Sequence, residues 1–222
     1  MYKSALHSFT TRNSLFYLII SVCLLSQDAF AQRSGYKKVN DLATFKIEFS
    51  NKSSKVISIQ SPFVQEKVLL ALTEKITSTG EFWFKRSNKV RIQYNTPFEY
   101  LMVMNGDKIL IRDNQKENRV NVNSNKLFQQ VNQIMIDCVQ GSILDSKDFT
   151  TVVYEGIDTY LLEMKPVSKS LQTFFQTIVL IVDKEDYSAY SIEMNEPSGD
   201  MTIIRFTDKK INAEVSDAVF AL

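Results

Sequence analysis

Histidine and cysteine are both scarce in this chain of 222 residues. It contains one histidine, His7, and two cysteines, Cys23 and Cys138. Ser-His-Asp and Cys-His catalysis both need a histidine, and zinc and copper sites usually take several histidine or cysteine ligands. Removal of the N-terminal segment that holds His7 and Cys23 would therefore exclude these reactions and these metal sites from the mature chain.

Apolar runs long enough to span a membrane are also missing. The run Leu15–Leu25 has eleven residues, whereas a membrane-spanning helix needs about 20. It follows basic residues and precedes Ala29–Ala31, an Ala-x-Ala sequence, which is typical of a secretory signal. We predict a cleaved signal peptide over residues 1–31, one mature domain over residues 32–222 and no transmembrane span. Lipidation of Cys23 is the alternative.

The predicted mature chain has no excess of charge of either sign. The sequence has 26 basic and 25 acidic side chains, and removal of residues 1–31 leaves 24 of each. Nucleic-acid binding needs clustered lysine and arginine, so we expect none. Carboxylates remain in number, but none form the spaced acid–base pair of a glycosidase. We therefore predict neither an enzyme nor a cofactor.

Segments with strand-like composition follow one another through short polar connections, which indicates antiparallel neighbours. Two segments break this pattern with apolar residues at helical spacing, Asn40–Lys55 and Asn123–Leu144. Asn40 or Asp41 is the expected N-cap of the first helix. The strand-like segments are Ile57–Leu70, Ile76–Arg86, Lys89–Tyr94, Glu99–Met104, Lys108–Arg112, Arg119–Val122, Phe149–Tyr154, Thr159–Lys165, Phe174–Asp183, Ala189–Asn195 and Met201–Thr207, with a last piece, Ala218–Leu222, expected to pair at the edge.

Alternation along the strands assigns apolar side chains to one face of the sheet. Tyr190, Ile192 and Met194, for example, share a face. Methionine is flexible and suits surfaces that repack around varied apolar ligands, although ordinary core filling explains the same pattern. We predict an acyl-binding cavity between this face and the mid-chain helix. Its predicted lining is Phe82, Phe84, Val90, Ile92, Tyr94, Met102, Met104, Ile192 and Met194 from the sheet, and Leu127, Val131, Ile134, Met135 and Cys138 from the helix.

Arg86 follows two apolar residues of the same strand face, Phe82 and Phe84, at the end of a predicted strand. If those rings point inward, its guanidinium does too, and a buried guanidinium needs hydrogen-bond acceptors. Exposed carbonyls near a helix end could supply them. The alternative is an arginine at the rim whose charged head reaches water.

Four motifs in order along the chain carry a resemblance to a known family. They are Lys55–Lys67, Gly80–Asn88 (GEFWFKRSN), Tyr94–Pro97 and Val103–Lys108. Together they resemble the outer-membrane lipoprotein carrier protein family of the LolA type, over effectively the whole predicted mature chain. Ser87, which follows Arg86, departs from the proline that the family usually has at this position.

The resemblance implies an open antiparallel half-barrel of about eleven strands, with helices covering its concave face. It also implies a periplasmic monomer that binds the acyl chains of lipoproteins between barrel and helices. Its partners would be an inner-membrane transporter and an outer-membrane acceptor. Arg86 occupies the position of the family arginine that binds backbone of the lid and holds the empty form closed, and residues 126–144 occupy the place of a lid helix. We hypothesise that Arg86→Leu leaves the lid open and slows cargo release.

Related half-barrels leave two other functions open. One is the binding of a different envelope lipid or acyl intermediate. The other is a lipoprotein-sensing regulatory module that binds a protein partner, which would need a second domain for which residues 32–222 leave no obvious room.

Overall fold

Thirteen strands form one open antiparallel sheet in a computed structural model of the chain, which confirms the predicted half-barrel architecture. The structure describes residues 35–72, 75–86, 88–114, 116–121, 130, 133–134, 136–138 and 141–222. Gly35–Leu222 group together as one unit. The statements below concern this part of the chain.

The sheet consists of two meanders that meet where β12 pairs with β2. Strands β2 to β7 pair in chain order on one side, and strands β8 to β12 do so on the other. Strand β1 forms one edge and β7 the other, while β13 pairs with β2 beside the path. The strands are β1 (Lys37–Lys38), β2 (Ser58–Val68), β3 (Lys75–Lys85), β4 (Lys89–Thr96), β5 (Tyr100–Asn105), β6 (Lys108–Asp113), β7 (Lys116–Asn121), β8 (Phe149–Glu155), β9 (Thr159–Pro166), β10 (Thr177–Asp183), β11 (Ala189–Asn195), β12 (Met201–Phe206) and β13 (Lys210–Ile211).

One helix of three turns, α1 (Leu42–Ser53), precedes the first long strand. Asp41 is its N-cap: one carboxylate oxygen accepts from the Thr44 backbone N–H at 2.9 Å and the other from the Thr44 hydroxyl at 2.8 Å. The remaining helical pieces are Lys169–Gln172, the 3₁₀ turns Ser142–Asp145 and Asp217–Phe220, and helical residues at 130, 133–134 and 136–138, called the helical segment below. No helix in the described ranges has both the length and the apolar character to cross a membrane.

The C-terminal piece Ala218–Leu222 does not pair at the edge of the sheet, so that prediction was wrong. It forms the 3₁₀ turn Asp217–Phe220, capped by the Ser216 hydroxyl, which accepts from the Ala218 N–H. Phe220 is fully buried against Val103 and Leu110. This packing removes the phenyl ring from water, which a free edge strand would not achieve.

Alternation gives the sheet two faces with different coverings. On the inner face, Phe45 and Phe49 of α1 pack among the side chains of β8 to β10. On the outer face, the C-terminal turn packs near Trp83, and the Arg91 guanidinium lies 5.4 Å from the centre of the indole ring. The inner face therefore carries α1 and the cavity described next.

Candidate functional site

A cavity of about 220 Å³ lies between the inner face of the sheet and the helical segment. An apolar cavity of about 150 Å³ is large enough to bind benzene, so this one has room for a stretch of acyl chain. Apart from a few polar groups, its walls are aliphatic and aromatic. The lining residues are Val56, Ile59, Ser61, Phe63, Phe82, Ile92, Tyr94, Ile134, Cys138, Met164, Phe175, Ile178, Leu180, Tyr187, Ser188, Ala189, Ile192, Met194, Ile204, Phe206 and Lys209.

Five of the nine sheet residues assigned to the cavity from the sequence line it: Phe82, Ile92, Tyr94, Ile192 and Met194. The other four belong to a neighbouring cluster that packs around Val56 and Ile109. Alternation predicts which face of the sheet a side chain occupies. It does not predict which part of that face borders the cavity, and this difference separates the five lining residues from the other four. The four residues placed in the cluster are Phe84, Val90, Met102 and Met104.

Two of the five predicted helix residues, Ile134 and Cys138, line the cavity. Leu127, Val131 and Met135 lie outside the described residues. Burial, aided by the nearby Asp137 carboxylate, raises the pKa of the Cys138 thiol to about 12. The thiol is therefore protonated at neutral pH and acts as a small apolar side chain in the cavity wall.

The second meander supplies much of the lining that the sequence did not reveal. Met164, Ile178, Leu180 and Ile204 reach the cavity from β9, β10 and β12. The run TIVLIV of β10, apolar on both faces, was the signal for burial of this region. It could not distinguish a packed core from a cavity, because both require apolar side chains.

A β-bulge in β11 changes which of its residues face the cavity. Ile181 pairs with Ser191 while Val182 pairs with Ala189, so Tyr190 is the extra residue. Ala189 therefore lines the cavity together with Ile192, and Tyr190 is exposed. The strict alternation that groups Tyr190 with Ile192 and Met194 does not hold at this point.

Arg86 extends from the end of β3 to the end of α1, where its guanidinium donates to three backbone carbonyls. Nε lies 2.6 Å from the Val56 oxygen, and Nη2 lies 3.1 Å from the Ser53 oxygen and 2.5 Å from the Ser54 oxygen. The Ser53 and Ser54 carbonyls are among those that a helix leaves without an i+4 donor at its C-terminus, and Val56 follows two residues after the C-cap. Arg86 thus fixes the end of α1 to the sheet. Its side-chain hydrogen bonds reach the last residue of α1 and the residues just after it, and none of them reaches a described residue of the helical segment.

The chain that follows the helical segment also packs against α1. Gly141 has a φ of +76°, and a Cβ at this position would lie 2.7 Å from the Cβ of Ser53. Lys46 of α1 forms an ion pair with Asp145 at 3.0 Å. The end of α1 is consequently in contact with both Arg86 and the turn after the helical segment.

The cavity wall also carries several polar side chains, among them Ser61, Tyr187, Ser188 and Lys209. The Tyr187 hydroxyl donates to a Glu48 carboxylate oxygen at 3.0 Å, and burial raises the pKa of Tyr187. The described residues contain no group of three or more histidine, cysteine or acidic side chains that could hold a metal ion. The chemistry that this site supports is the binding of an apolar chain.

The family described as outer membrane lipoprotein carrier protein LolA matches residues 54–222. An outer-membrane lipoprotein carrier protein from Chromohalobacter salexigens is 23% identical over 142 residues, 64% of this chain and 64% of that protein. The chain thus spans less than two thirds of the length of this curated relative.

Two solved structures resemble this chain at low sequence identity. An uncharacterized conserved protein from Thermus thermophilus has a TM-score of 0.50 at 10% identity, covering 80% of this chain and 91% of that one. A LolA superfamily protein from Nitrosomonas europaea has a TM-score of 0.42 at 12% identity, covering 80% and 97%. At 10% identity, the likeness to the Thermus thermophilus protein concerns the fold alone.

Proposed function

Because the chain belongs to the outer membrane lipoprotein carrier protein LolA family, we propose that it is a periplasmic carrier for the acyl chains of lipoproteins. It would take them from an inner-membrane transporter to an outer-membrane acceptor, without catalysing a reaction. The observation that carries the proposal is the apolar cavity of about 220 Å³ between sheet and helical segment. Family membership supports the binding and carrying of lipoproteins, and the apolar walls of the cavity support the binding of their acyl chains.

Burial of an acyl chain provides the affinity. Each buried CH₂ group contributes about 0.8 kcal/mol, so ten of them contribute about 8 kcal/mol, which corresponds to micromolar binding before ordering costs. This affinity shields a chain from water and still permits release. The cavity is only about half again as large as one that holds benzene. Entry of a complete cargo therefore requires the helical segment or α1 to move away from the sheet.

A pair of variants on one strand tests the role of the cavity. Ala189→Phe places a phenyl ring in the cavity, whereas Tyr190→Phe keeps one at the neighbouring exposed position. Each protein is purified gently from its native envelope, checked for folding by circular dichroism and examined by mass spectrometry for bound molecules. We expect an acylated protein N-terminus on the wild type and on Tyr190→Phe, and little or none on Ala189→Phe.

The identity of the bound molecule distinguishes the other functions. A free lipid on the wild type, lost in Ala189→Phe, would replace lipoprotein carriage by the binding of another envelope lipid. An empty cavity together with a stable protein partner would favour a sensing module. Equal occupancy of both variants would show that the acyl chain binds elsewhere.

A further inference from the structure

Lys209 is the only charged side chain among the described residues that line the cavity. Its side chain is 15% exposed, while Asp208 and Lys210 on either side are exposed. An ammonium group in an apolar wall loses hydration, a cost that is recovered only through partners of its own. Its position therefore calls for an explanation.

The turn that carries Lys209 is fixed to β2. The Thr207 N–H donates to the Pro62 carbonyl at 3.1 Å, and the Ser61 hydroxyl donates to the Thr207 carbonyl at 2.7 Å. Asp208 then takes a φ of +45°, in the left-handed region that non-glycine residues rarely adopt. Lys210 pairs with Gln60 in the following strand. This backbone path directs the Lys209 side chain toward the cavity.

Among the described residues, the ammonium group of Lys209 has few polar contacts. Lys209 Nζ lies 2.5 Å from the Ser188 hydroxyl oxygen and 4.0 Å from Asp186 Oδ1. The same Asp186 oxygen already accepts from the Ser188 N–H at 2.7 Å and from its hydroxyl at 2.6 Å. An ammonium has three N–H donors. Ser188 uses one of them, which leaves capacity for an acceptor within the cavity.

We propose that Lys209 anchors the oxygen-bearing end of a bound acyl group, whose hydrocarbon chain extends along the apolar walls. The inference rests on the proposed acyl-binding function and adds an orientation to it: the carbonyl end lies at Lys209 and the chain points toward Ile134 and Met194. The shared ligand chemistry is an acyl oxygen. It comes either from a free carboxylate or from the ester of a lipidated protein.

Three ligands with the same chain length test this anchor by calorimetric titration of the delipidated mature protein. They are decanoate, methyl decanoate and decylamine, and each is titrated into the wild type, Lys209→Met, Lys209→Arg and the exposed neighbour variant Lys210→Met. We expect Lys209→Met to weaken decanoate about tenfold, as for a hydrogen bond between two charged groups, and the ester about threefold, because the ester oxygen carries no net charge. Decylamine should bind Lys209→Met more tightly than it binds the wild type, because the variant lacks the ammonium group that repels the ammonium group of the ligand.

Controls separate this inference from the proposed function. Lys209→Arg and Lys210→Met should keep the wild-type ligand ranking, and thermal unfolding checks that each variant is folded. Decanoate binding that falls equally in Lys209→Met and Lys210→Met would overturn the anchor alone. Failure of all three ligands to bind the wild type would overturn the acyl-binding cavity itself. If these variants support the anchor, much tighter binding of decanoate than of methyl decanoate by the wild type indicates that the natural ligand is a free acid. Similar affinities for the two indicate an esterified acyl group.

Discussion

Replacing Arg86 with leucine is expected to release the end of α1 from the sheet. The guanidinium donates to the carbonyls of Ser53, Ser54 and Val56 at 2.5–3.1 Å. One hydrogen bond from a charged group contributes about 1.5–3 kcal/mol. Because Arg86 is half-buried, water can partly replace its hydrogen bonds in the variant. We therefore take about 3 kcal/mol as the contribution of the three hydrogen bonds together. That difference corresponds to an increase on the order of 10²-fold in the population with α1 opened at this end.

Amide hydrogen exchange measures this opening directly. We expect faster exchange for the amides of residues 50–54 in Arg86→Leu, with unchanged exchange in β10. Arg91→Leu is the matched control, because Arg91 donates to the Val219 carbonyl on the outer face at 3.1 Å and does not contact α1. Arg86→Lys keeps the charge but not the planar set of donors, so it should restore only part of the protection.

The functional consequence is measured separately, by transfer of bound cargo to acceptor membranes. If the carrier proposal holds, Arg86→Leu should retain cargo longer, because closure of α1 onto the sheet no longer competes with the bound chain. Unchanged exchange at residues 50–54 would refute the assigned role of the three hydrogen bonds. Faster exchange with transfer at the wild-type rate would restrict Arg86 to a structural role.

Two further predictions concern the sheet and its C-terminal turn. Gly80→Ala should lower the free energy of unfolding by about 1–3 kcal/mol in urea titrations, because its Cβ would collide with the Gln93 carbonyl and lie 2.6 Å from the Phe63 ring. Hydrogen bonds from Lys85 and Lys89 lower the pKa of Asp217. The stabilising contribution of the Asp217 carboxylate is therefore complete above its unfolded-state pKa of about 3.9, and it is lost as the pH falls through the lower folded-state pKa. In urea titrations, the free energy of unfolding should fall more steeply with decreasing pH in the wild type than in Asp217→Asn.

Local rules in the sequence predicted the antiparallel sheet and its first helix, and the family resemblance supplied the open half-barrel. Short polar connections impose antiparallel pairing, and a carboxylate at position 41 followed by helix-spaced phenylalanines predicts α1. Strand parity left two places open for the Arg86 guanidinium, carbonyls near a helix end or the solvated rim. In the structure it donates to the carbonyls of Ser53, Ser54 and Val56.

The cavity was less accessible to sequence reasoning, since its extent depends on departures from regular geometry. The bulge at Tyr190 exchanges the faces of two residues, and no pattern in the segment AYSIEMN announces it. Phe84 and Met104 are on the inner face but pack in a cluster with Val56 and Ile109, away from the cavity lining. In the sequence, Lys209 does not differ from lysines that are expected at the surface. Only the turn at Asp208, which the structure shows, directs its side chain toward the cavity.

The position of the single tryptophan determines what optical experiments on this protein can report. Trp83 alternates with Phe82 and Phe84, so its indole lies on the outer face, beside Arg91 and the C-terminal turn. A ligand in the cavity is separated from it by the sheet. Intrinsic tryptophan fluorescence should therefore follow detachment of the C-terminal turn and global unfolding. It should be nearly silent to cavity occupancy, which makes it an internal reference for ligand titrations that use a separate probe.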